Sequence, residues 1–103
     1  MDRINKLKEF LQASPGDSFL QHALALEYVK LGREEEAQSL FIAILDRDPS
    51  YIGSYYHLGK LYERSQENEK AIEVYDRGMK YAKQAGDNHA FSELRNAMDE
   101  LID

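Results

Sequence analysis

An all-α fold of antiparallel helix hairpins is what this 103-residue sequence predicts, and three observations carry that reading. Residues 18–51 and 52–85 fall into register at a 34-residue offset, a period that marks a helix-hairpin repeat. Apolar residues recur at spacings of three and four throughout, the signature of helices that bury one face. Proline and glycine interrupt that pattern at intervals: Pro15-Gly16, Gly32, Pro49 and Gly86.

Taken in order, residues 2 to 13 form a first helix with Ile4, Leu7, Phe10 and Leu11 on its apolar face, ended by Ser14-Pro15-Gly16-Asp17. Residues 18 to 31 follow, with Leu20, Leu24, Tyr28 and Leu31 in line and Gly32 as a left-handed cap. Glu34, Glu35 and Glu36 open the third helix, where carboxylates meet the positive end of the macrodipole, and Ala37, Leu40, Phe41, Ile44 and Leu45 are its core face. Asp48-Pro49-Ser50 closes it and offers Ser50 as the cap of a fourth helix through Ile52, Tyr55, Leu58, Leu61 and Tyr62 to about Arg64. The turn Ser65-Gln66-Glu67-Asn68 lacks the glycine of the first copy. A fifth helix, about 69 to 84, carries Ala71, Ile72, Val74, Tyr75, Met79 and Ala82 and ends at Ala85-Gly86-Asp87. The sixth, about 88 to 102, places Phe91, Leu94, Met98 and Leu101 opposite Ser92, Arg95, Asn96 and Asp99. A repeat array needs such a polar outer face at its end.

Identity between the two copies is confined to Leu24, Tyr28, Glu35 and Ala37 with their mates. The weight lies in the residue types that coincide. Small residues at Ala25/Gly59 and Ala37/Ala71 let paired helices approach closely, because interaxial distance depends on the side chains at the crossing. Aromatics at Tyr28/Tyr62 and Phe41/Tyr75 fill the space around that crossing. The pattern Tyr55-x-x-Leu58-Gly59-x-x-Tyr62 followed by Ala71-x-x-x-Tyr75 resembles the tetratricopeptide (TPR) signature, repeated as Gln21, Leu24, Ala25, Tyr28, Ala37, Phe41 and Pro49. The resemblance implies a right-handed α-solenoid and a protein-binding scaffold. It divides the chain into a half-repeat helix over 1–17, repeats over 18–51 and 52–85, and a capping helix over 86–103, all in one domain. It breaks at Lys83, which stands where Pro15 and Pro49 stood.

Composition narrows the function. A net charge of -6, with basic residues scattered singly among acids, argues against a nucleic-acid surface. No cysteine is present, so disulfides and thiolate chemistry are excluded. No apolar run approaches the length of a membrane span, and the amino terminus leads into no apolar signal core, so a cytoplasmic protein is expected. Catalysis needs convergent groups of perturbed protonation, and none is recognisable. His22, His57 and His89 lack the spacing that puts two ligands on one helix face. The Glu34-Glu35-Glu36 run diverges by about 100° per residue and reads as a solvated helix start rather than a cation site. No enzyme activity, metal or cofactor is therefore expected.

Tyr56 is the exception among the tyrosines of the fourth helix. It points away from Tyr55 and Tyr62 and lies in register with His22, on the face that in TPR proteins lines the concave groove. Steps of three and four along that face select Phe19, His22, Leu26, Val29 and Lys30 in the first repeat, and Tyr56, Lys60, Glu63 and Arg64 in the second. Phe19 and Leu26 are apolar where a bystander surface would be polar. Lys30, Lys60 and Arg64 against Glu63 leave a local positive excess, which suits a protein or peptide carrying an acidic group. The lysine, asparagine and arginine clamp with which some TPR domains hold chaperone tails is not matched, since these faces offer His22, Leu26, His57 and Lys60. The alternative is a self-associating subunit, monomer or weak homodimer, that pairs through exposed apolar helix faces.

Overall fold

The breakers of the sequence fall between helices. In the computed structural model, which describes residues 2–102, six helices and no strand are present: α1 Arg3–Ala13, α2 Ser18–Lys30, α3 Glu34–Arg47, α4 Gly53–Arg64, α5 Asn68–Ala85 and α6 Asn88–Ile102. Three helices start with the same device. The carboxylates of Asp2, Asp17 and Asp87 accept the backbone N–H of Asn5, Leu20 and Ala90 at 2.9, 3.1 and 3.0 Å, satisfying donors that the first helical turn leaves free. The fourth helix departs from expectation: Ile52, with helical dihedrals, stands at its N-cap position and makes no side-chain cap there, so Ser50 falls short of that position. The turn over residues 51 to 55 supplies backbone bonds instead, Ser54 N–H to Tyr51 and Tyr55 N–H to Ile52.

Three helix ends share one geometry. Gly32, Gln66 and Gly86 take φ values of 76°, 66° and 71°. After each, the next residue donates its N–H to a carbonyl five residues back: Arg33 to Tyr28, Glu67 to Tyr62 and Asp87 to Ala82. This closure satisfies the last carbonyls of a helix and requires the left-handed region, where a Cβ is penalised. Gln66 therefore occupies, one repeat after Gly32, a position whose backbone favours glycine.

The chain forms two compact units, one running through Asp48 and one beginning at Pro49. In the first, α2 packs against α1 and α3. Leu7, Leu24, Ala25, Tyr28, Ala37, Phe41, Ile44 and Leu45 are buried. Arg47 ties the ends of α2 and α3 together, donating to the Ser18 hydroxyl at 3.1 Å and to Gln21 Oε1 at 2.8 Å, while Gln21 Nε2 donates to the Pro15 carbonyl at 3.1 Å. Phe10, expected on the buried face of α1, is instead 52% exposed.

In the second unit α5 packs against α4 and α6, and α6 also meets α4. Two glycines set the approach. A Cβ on Gly59 would lie 2.1 Å from the Tyr75 ring, and one on Gly78 would lie 2.7 Å from Tyr55 Cβ and 2.9 Å from Leu94 Cδ1. Gly78, helix-interior and costly there for its propensity, thus lets α4, α5 and α6 meet. Tyr55 and Tyr75 are fully buried. The Tyr55 ring stacks on Tyr81 with centroids 6.0 Å apart, and its hydroxyl donates to the Pro49 carbonyl at 2.5 Å. Tyr75 donates its hydroxyl to Glu63.

Two substitutions test these constraints. Gln66→Gly is expected to stabilise the protein by about 1 kcal/mol by removing the left-handed penalty, read as a higher denaturant midpoint with unchanged slope. Gly59→Ala is expected to cost about 1 to 3 kcal/mol by overpacking, because the obstructing atoms belong to a fully buried ring rather than a flexible side-chain end. A neutral Gly59→Ala would show that the crossing has room to spare.

Candidate functional site

Within α4, residues one turn apart lie above one another, so Tyr56, Lys60, Glu63 and Arg64 share one stripe. The structure brings the first three into direct association. Lys60 Nζ sits 5.4 Å from the centroid of the Tyr56 ring and 3.5 Å from Glu63 Oε2. Glu63 also accepts the Tyr75 hydroxyl, and the Tyr56 ring tilts against that of Tyr75 with centroids 6.5 Å apart. One carboxylate thereby links a surface lysine to a buried phenol. Burial first, then the hydrogen bond to Glu63, pushes the Tyr75 phenol far above its ordinary range, so it stays protonated and donating. Arg64 is exposed at the end of the stripe.

Tyr56, Lys60 and Glu63 are half-buried, so these contacts hold their side chains in place. The sequence placed Tyr75 in the core and did not connect it with the face. Its partner Glu63 lies 12 residues earlier, on the other helix of the hairpin. The edge of the Tyr56 ring also meets His57, centroids 5.7 Å apart. His57 is held below its ordinary pKa of 6.5 chiefly by burial, opposed by Glu93 of α6 and reinforced by Arg64.

On α2 the corresponding residues are less tightly joined. Phe19 is 66% exposed, the most exposed of the large apolar side chains. His22 packs its ring edge-on against Phe41 of α3 at 5.5 Å, and Leu26 and Val29 are half-buried. Lys30 pairs with Glu27 at 3.2 Å, and Glu27 also meets Arg3 of α1 at 3.4 Å. The positive excess expected from the sequence, already net of Glu63, is therefore reduced further by Glu27 on α2. Among the described residues no group of three or more His, Cys, Asp or Glu side chains could hold a metal ion, and no helix is long and apolar enough to cross a membrane.

Helix hairpins closed by small residues at the crossing, and presenting mixed aromatic and charged stripes, define a helix-hairpin repeat protein. The tetratricopeptide repeat model matches residues 20–51 and 52–84, and the chain belongs to that family. A tetratricopeptide repeat domain protein from Salinibacter ruber is similar in its crystal structure, with 40% identity, a TM-score of 0.80, and 82% of this chain and 94% of that one covered. Its solution structure gives 40% identity and a TM-score of 0.81, covering 85% of this chain and 89% of that one. A protein from Bordetella parapertussis shares the fold, with 23% identity and a TM-score of 0.83, covering 98% of this chain and 88% of that one. No curated protein matches the chain at a significant level. Tetratricopeptide repeats generally mediate protein–protein interaction, and the family is typically non-catalytic.

His57 gives the α4 face a pH signature. Its folded-state pKa is depressed, so the unfolded chain binds the proton more readily and the imidazole's contribution to stability is present above about pH 6.5 and lost as pH falls through the folded-state pKa. The expected result is an NMR titration midpoint for the His57 ring below 6.5, and a fall in stability on acidification that shrinks in His57→Gln. A midpoint above 6.5 would mean that Glu93 outweighs burial.

Proposed function

We propose that this protein is a non-catalytic adaptor that holds a protein or peptide segment against the stripe of α4, with the exposed face of α2 as a second contact surface. The observation that carries this reading is the arrangement around Tyr56. A half-buried aromatic ring is fixed by Lys60, by Tyr75 and by the Glu63 carboxylate that serves both. Tyrosine offers large contact area with a polar tip and loses little conformational freedom on binding, which is why it is favoured at interfaces. The fixed ring lowers the ordering cost that association otherwise incurs.

An acidic group on the partner suits Lys60 and the exposed Arg64, by displacing or sharing the Lys60–Glu63 pair at the rim. Phe19, His22, Leu26 and Lys30 supply the second surface, apolar at Phe19 and Leu26. The expected outcome for the double variant Tyr56→Ala, Lys60→Glu is loss of partner capture with helical content and stability retained. Binding that survives in this variant would move the site off α4.

A second reading rests on a separate observation: Phe10, Phe19, Leu31 and Ile102 are all more than half exposed, at 52, 66, 61 and 59%. Large apolar side chains left in solvent suit a self-associating subunit. Light scattering across a concentration series distinguishes the two readings, since the adaptor stays monomeric and the subunit gains mass.

A further inference from the structure

The groove between α5 and α6 joins an apolar floor to an acidic rim. Ile72 of α5 and Met98 of α6 form the floor, both half-buried, and Glu69, Glu73 and Asp76 stand along it on successive turns of α5, lining an open groove of about 420 Å³. Asp76 is shared with Lys80 of the same helix at 3.1 Å, whereas Glu69 and Glu73 form no ion pair among the described residues. Spacings of three and four align these carboxylates on one face, so their repulsion adds along the groove rather than spreading around the helix.

The first unit offers a comparison in charge. Lys8 of α1 lies two repeats before Asp76 of α5, and its Nζ is 6.0 Å from the ring centroid of Tyr28 of α2, while Asp76 lines one groove with Met98 of α6. There α3 packs against α2, and Lys8 acts on Glu36 of α3 electrostatically. The Glu36 carboxyl is held below its ordinary range first by its hydrogen bond to Arg33 and further by Lys8. The cation on α1 is thus matched by a carboxylate on α3. In the second unit α5 carries carboxylates along the groove, so the charge-complementary partner is cationic. We propose that the α5/α6 groove docks an amphipathic helix of a partner protein, with lysine or arginine residues one turn apart flanking an apolar anchor that seats between Ile72 and Met98.

This site is distinct from the α4 stripe and calls for a partner of opposite charge. The test uses the full chain and a synthetic 15-residue helical peptide with leucines at i, i+3, i+4 and i+7 flanked by lysines, compared with the same peptide carrying glutamates for lysines. Saturable binding of the lysine peptide, with amide shifts at Ile72, Glu73, Asp76 and Met98, is expected. The double variant Glu69→Lys, Glu73→Lys should bind at least about ten-fold more weakly. The control Glu9→Lys, Asp46→Lys, with the same charge change at exposed positions on α1 and α3, should stay within about two-fold. Circular dichroism confirms that each variant folds, and Glu69→Gln, Glu73→Gln gives a milder replacement if the lysines disturb α5. The proposal is overturned by equal loss in the control, by shifts confined to α2 and α4, by equal affinity for the glutamate peptide, or by no binding. Self-association of the unliganded chain that the Glu69→Lys, Glu73→Lys variant abolishes would also overturn it, by assigning the groove to a second copy.

Discussion

The second unit depends on one steric relation, the seating of the Tyr75 ring in the space that Gly59 leaves without a side chain. Because that ring lies where a Cβ would be, α4 and α5 approach closely enough for the phenol to pass the crossing and reach Glu63 on the far helix. The same approach buries Tyr55 against the side-chain-free backbone at Gly78, one turn further along α5. Packing and surface chemistry are consequently one arrangement. The carboxylate that satisfies a buried phenol also positions Lys60 beside Tyr56, so the core specifies the geometry of an exposed face. A fully satisfied polar link of this kind contributes more to uniqueness than an isolated surface pair would.

Most of the other ion pairs are single-turn contacts on exposed helix faces, such as Arg33 with Glu36, Lys70 with Glu67 and Lys80 with Asp76. Such pairs typically contribute less than about 1 kcal/mol each, and salt weakens them further. Their role lies more in the charge pattern they leave behind. Lys30 and Lys60 are tempered by neighbouring glutamates, while Glu69 and Glu73 form no ion pair among the described residues, which separates a mixed face on α4 from an acidic edge on α5.

Legibility in the sequence followed the range of the interactions involved. Helix positions were readable because capping, glycine turns and proline breaks act within a few residues. Ser50 marks the limit of that reading: a capping residue type was present, but the backbone continued through a helical Ile52 before α4 began. Core residues such as Leu24, Tyr28, Phe41, Leu58 and Tyr75 were readable because two copies of the pattern agreed, and all are buried. Phe10 was misplaced for a reason the same logic supplies. It stands one repeat before Ile44, which is fully buried, but periodicity reports which face is apolar and not whether another helix covers it.

The sequence by itself determined the hairpin repeat, its register and the stripe to which Tyr56, Lys60, Glu63 and Arg64 belong, since each follows from local helical geometry and the 34-residue period. It could not show that Glu63 holds Tyr75, that Gly78 exists to admit Tyr55 and Leu94, or that Ile72 and Met98 form the floor of one groove. Those relations join residues on different helices. Only the tertiary structure decided them, because interhelical distance is set by the packing of whole faces, and a single side chain does not disclose what will be placed against it.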